Sequence, residues 1–166
     1  MTNMDTSTSN DAPRFLTIDT RVPSAIRDLM NEADGCGKNG FLTGGTACSQ
    51  RVIHMLTASA DGQDMQARIK ALADKYPGVP TMLTSILQQF GDATSRDGAK
   101  LSASGLNLLV VTLKAVLYEI YVLGPERNER LDYIRRAFES IERKGADKRA
   151  EASVPAATAE PVAAAS

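Results

Sequence analysis

The chain has 166 residues, with 19 Lys and Arg against 20 Asp and Glu, a net charge of -1. That length suits one domain, and that charge excludes a global field able to draw in nucleic acid or an acidic membrane, so such binding would need a local patch. Two cysteines and one histidine exclude a disulfide framework and fit a reducing compartment.

Residues 1–13 are polar, with neither a basic end nor an apolar run. They predict a disordered tail and no secretory signal, which makes the cytoplasm the expected location; export by a dedicated secretion system is the lesser alternative. Arg14 to Asp19 carries the one hint of an extended segment. A first helix is expected from Pro23, with Ala25, Ile26, Leu29, Met30 and Ala33 on one stripe and Asp34-Gly35 ending it.

The stretch from Ala33 to Gln50 holds five glycines, one lysine and both cysteines. A Walker-type phosphate loop needs Gly, four residues, then Gly-Lys-Ser/Thr, and here Lys38 is followed by Asn39 while Glu32 stands where the first glycine belongs. A strand should also precede such a loop, and this one follows a helix. Cys36, Cys48 and His54 are too widely spaced for structural zinc, which needs four ligands in close pairs. His54 falls opposite the apolar stripe of its helix. Catalysis by Cys36 or Cys48 with His54 stays open, because such partners meet in space. The simplest reading is a long connection between helices, with Phe41 and Leu42 dipping into the core, and long connections are favoured places for a ligand or partner to touch.

A second helix is expected from Thr46 to about Ala60, with Ser49, Val52, Ile53 and Leu56 inward. The third follows Asp61 and carries Met65, Ile69, Leu72, Ala73 and Tyr76 until Pro77-Gly78-Val79-Pro80 breaks it. The fourth presents Met82, Leu83, Ile86, Leu87 and Phe90 and ends at Gly91. These two helices invite a helix-turn-helix reading, but 81–90 carries no positive charge for phosphates.

The fifth segment, Leu106 to Gly124, is the most apolar. Its eleven Leu, Val and Ile residues favour membrane insertion by roughly 3 to 7 kcal/mol in total, while Lys114 and Glu119 each oppose it by about 3 kcal/mol. The balance predicts no membrane span and a central helix of a bundle, with Asn107 and Lys114 on a strip reaching water. Glu119 in that apolar context requires a partner or a shifted pKa.

Gly124-Pro125 is expected to stop the fifth helix and open a sixth, whose Leu131, Ile134, Phe138 and Ile141 form an apolar seam. Its arginines follow acids at four-residue spacing, as in Glu126/Arg130, Asp132/Arg136 and Glu139/Arg143, the order that favours pairing along one helix. After Gly145 the composition turns to Ala, Glu and Pro, a disordered tail over 145–166.

The expected fold is all-α: a single-domain bundle of about six helices over 14–144 with a tail at each end. No catalytic, cofactor or metal residue is assigned. The expected function is a non-enzymatic helical interaction module, an adaptor, regulatory or secretion-associated protein, with a protein partner and a homodimer completing the core as the alternative to a monomer. The surface expected to meet a partner comprises Lys38, Asn39 and Phe41 with Arg127, Arg130, Arg135 and Arg136. A DNA-associated regulator using residues 65–90 or the sixth helix is the alternative, and a small enzyme or ligand binder at residues 35–45 the third reading.

Overall fold

The computed structural model describes residues 12–58, 60, 62–95 and 101–152. The protein is mostly helical, with no strand among the described residues. Of the tails expected at 1–13 and 145–166, residues 1–11 and 153–166 lie outside them, as does Asp61, while 145–152 belong to a helix. Arg14–Leu16 form a 3-10 turn closed by the Leu16 amide on the Pro13 carbonyl, where the sequence suggested an extended entry.

Helix α1 spans Ser24–Lys38 and α2 spans Leu42–Thr57. The connection between them is therefore three residues long, not the ten or so expected. Gly35 does not stop α1; Gly40 does. Its φ is +76°, the Phe41 amide bonds the Cys36 carbonyl at 2.9 Å and the Gly40 amide bonds Gly37 at 3.3 Å, the paired bonds of a Schellman stop. Gly45, inside α2, serves packing instead. A Cβ at Gly45 would lie 2.6 Å from Leu106 Cδ2 and 3.3 Å from the Ala33 carbonyl, so glycine there lets α1, α2 and α5 close on one another. The buried hydroxyls of Thr46, Ser49 and Thr57 bond the carbonyls four residues back, which satisfies them inside α2.

Helix α3 spans Met65–Lys75, capped by Asp64 accepting from the Ala67 amide at 2.7 Å. Helix α4, Thr81–Ser95, begins behind Pro80 and runs through Gly91. Met82, expected inward, is exposed. Helix α5, Ala103–Tyr118, is capped by Ser102; α1, α2 and α4 pack against it, and α3 pairs with α4. The core gathers Ile26, Met30, Val52, Ile69, Leu72 and Leu87 around Leu106, Leu109, Leu113 and Val116 of α5.

Gly124-Pro125 does not end this helix. A π turn at Glu119–Leu123 follows α5 directly, and α6 spans Gly124–Ala152, so no loop separates the expected fifth and sixth helices. Pro125 lacks an amide proton and its ring crowds the carbonyl four residues back. The wider turn ahead of it accommodates both. Gly145 is likewise passed without a break. By length and composition Ala103–Ala146 would suffice to cross a membrane, and half of its apolar window is buried. The chain divides into two compact units, one up to Glu126 and one from Arg127.

Candidate interaction surface

In the second unit, α6 carries an exposed apolar seam. Leu131, Ile134, Phe138 and Ile141 are 53%, 62%, 60% and 69% exposed, and Tyr133 beside them 75%. Apolar side chains at spacings of three and four fall on one side of a helix because the turn takes 3.6 residues. The spacing was legible in the sequence; that it faces outward was not. Tyr133, off the stripe, gave no such signal.

Arg127, Arg130, Arg135 and Arg136 are all exposed on α6. Arg135 pairs with Asp132 at 3.0 Å, a spacing of three, not the expected four. Glu126 meets Arg21 at 3.0 Å in the first unit. Arg21 also bonds Asp19 through side chain and backbone, and these bonds hold the Asp19 carboxyl down to about 2.

The Gly-rich stretch presents a different surface. Lys38, Asn39 and Phe41 are exposed at the hairpin tip. Phe41, expected to dip into the core, is 67% exposed, while Leu42 packs against the core. The Asn39 amide group and backbone both donate to the Gly35 carbonyl, so this side chain finishes α1. A cleft of about 280 Å³ between α1 and α5 is lined by Asp34, Gly37, Lys38, Leu106, Asn107 and Val110.

Lys114 does not reach water beside Asn107 as expected. Its side chain is 12% exposed and its ammonium lies 3.4 Å from Asp34, which also takes Lys38 at 3.0 Å. Burial alone would raise the Asp34 pKa. The hydrogen bond from Lys38 and the charges of Lys114 and Lys38 outweigh it and hold the carboxyl below its ordinary range. Sequence periodicity could not pair residues 80 positions apart.

Cys36 and Cys48 are both half-buried free thiols on facing helices. Burial, then the neighbouring Glu32 and Cys36, push the Cys48 thiol up, away from the thiolate that nucleophilic or metal chemistry needs. His54 is exposed. Among the described residues no three His, Cys, Asp or Glu side chains cluster to hold a metal. Glu119, flagged in the sequence as a buried acid, is half-buried in the π turn.

The chain matches no known family model, no curated protein and no solved structure.

Proposed function

We propose that the protein is a non-enzymatic helical interaction module, an adaptor or regulatory protein of the cytoplasm that works through protein-protein contact. One observation carries this reading: four large apolar side chains of α6, evenly spaced along one stripe, each more than half exposed. Singly exposed apolar residues are ordinary, whereas an aligned set rimmed by charge marks a contact face. In this reading the helices up to Glu126 are the folded body, with α5 its central core helix and not a membrane span, and α6 is the element that meets the partner.

The test is capture from lysate of the source organism with the tagged full chain and with an Ile134→Asp/Phe138→Asp variant, both after nuclease treatment. The reading requires a protein retained in stoichiometric amount by the wild type and lost by the variant, whose circular dichroism is unchanged. Equal retention by both chains, or partners that vanish with nuclease, would overturn it, the latter in favour of DNA association.

A further inference from the structure

Resting on that reading, we propose that the α6 seam takes an acidic amphipathic helix from a partner protein. The occupant follows from the stripe's width and from the charges around it.

Leu131, Ile134, Phe138 and Ile141 are separated by three, four and three residues. At about 100° per residue this stripe is only about 80° wide. Such a narrow line is the seam of a helix pair, whereas a helix lying in a bilayer surface spreads its apolar residues over a broad face. Continuing the same spacing leads to Arg127 at one end and, past Gly145, to Lys148 at the other, so no further large apolar residue extends the seam. At 1.5 Å per residue it is roughly 15 Å long, about two heptads of a partner.

The charges are sorted around it. One edge bears Arg130 and Lys144 with Ala137 between them; the other bears Asn128, Arg135, Glu142 and Arg149. Glu129, Asp132 and Glu139 stand on the far side of the helix, together with Arg143 and with Arg136, which the sequence counts in the contact surface. The Arg135–Asp132 pair is exposed on both sides, and such a pair exchanges for an incoming carboxylate at small cost. The neutral net charge of the chain therefore conceals a basic frame around an apolar line.

This frame opposes a second copy. Parallel pairing sets Arg130 against Arg135 of the partner subunit and Lys144 against Arg149 of the partner subunit; antiparallel pairing brings Arg130 towards Lys144 of the partner subunit. Like charges at these edge positions disfavour pairing. A helix with Leu or Ile in the line and Glu or Asp on its edges meets the frame with paired charges, several of them to arginine, whose fork matches a carboxylate.

The test uses the full chain and two labelled designed peptides sharing one apolar line, one with Glu and one with Lys on its edges, read by fluorescence anisotropy. We expect the Glu peptide to bind at least about tenfold more tightly, with the difference shrinking as salt screens the edge charges. Ile134→Asp/Phe138→Asp should remove binding, and Arg130→Glu/Arg135→Glu/Lys144→Glu should invert the preference towards the Lys peptide. Equal binding of both peptides, no binding of the Glu peptide, tighter partition onto phosphatidylserine vesicles, or seam-dependent dimers in sedimentation equilibrium would each overturn the proposal. Seam-dependent capture of a lysate protein, alongside any of these, would leave the interaction reading standing and discard only the acidic partner.

Discussion

The amide of Gly124 bonds the carbonyl of Glu119 five residues back, and a Cβ at Gly124 would stand 3.1 Å from that same oxygen. The residue before Pro125 thus closes the π turn that lets the helix accept proline. In an unstrained helix, Gly to Ala gains roughly 0.5–1 kcal/mol; here the new methyl presses on backbone that cannot rotate away. We expect Gly124→Ala to forfeit that gain and to lower stability by up to about 1 kcal/mol, read as a lower urea midpoint at unchanged slope. A gain in midpoint would show that the turn relaxes without cost.

Gly35 and Gly45 make a matched pair. A Cβ at Gly35 meets nothing within 4 Å, so Gly35→Ala should stabilise by about 0.5–1 kcal/mol through the unfolded chain. Gly45→Ala, driven into Leu106, should cost about 1–3 kcal/mol. The closest approach is to Leu106, so the cost should shrink in a Leu106→Ala background, the coupling a double-mutant cycle measures, while the part set by the Ala33 carbonyl and Cys36 persists. Equal effects at Gly35 and Gly45 would refute the packing role.

Asp34 offers a pH signature. Its folded pKa lies below the unfolded value, so its contribution is present above the unfolded pKa of about 3.9 and is lost as pH falls through the folded one. Asp34→Asn leaves the mostly buried Lys114 without its carboxylate and should cost about 1–2 kcal/mol at neutral pH. The gap between wild type and variant should then narrow below about pH 4. A gap that stays constant down to pH 2 would assign the cost to something other than the charge.

The seam variant used above makes a stability prediction of its own. Ile134 and Phe138 are more than half exposed, so Ile134→Asp/Phe138→Asp should change thermal unfolding of the first unit by no more than about 0.5 kcal/mol. A large loss would mean that these side chains are buried in solution, by a second copy or otherwise.

Helical class was legible because apolar residues recur at 3.6-residue spacing through Ile26 to Ala33, Val52 to Leu56 and Ile69 to Tyr76. Boundaries were not, wherever glycine was read as punctuation. Gly35, Gly37 and Gly45 all lie inside helices, Gly45 because neighbouring helices approach it too closely for a Cβ, and of these glycines and Gly40 only Gly40 holds the left-handed turn. Gly124-Pro125 misled for a related reason: a proline breaks an ideal helix, but one wide turn ahead of it removes the clash. Of the candidate surface, the spacing of Leu131 to Ile141 could be read from the chain. Whether a helix stripe is buried or bare depends on what the rest of the chain places beside it, and periodicity carries no such information.

Arg21 holds Asp19 with one part of its guanidinium and Glu126 with another, at 2.9 and 3.0 Å. The described part of the first unit therefore begins and ends close together, joined by a contact that spans 105 positions of sequence. A folded body with its ends side by side can be spliced into an exposed loop of another protein, or have its ends linked and a new opening cut elsewhere, without dragging its neighbours apart. Such a body can be carried within a longer chain as readily as at its end.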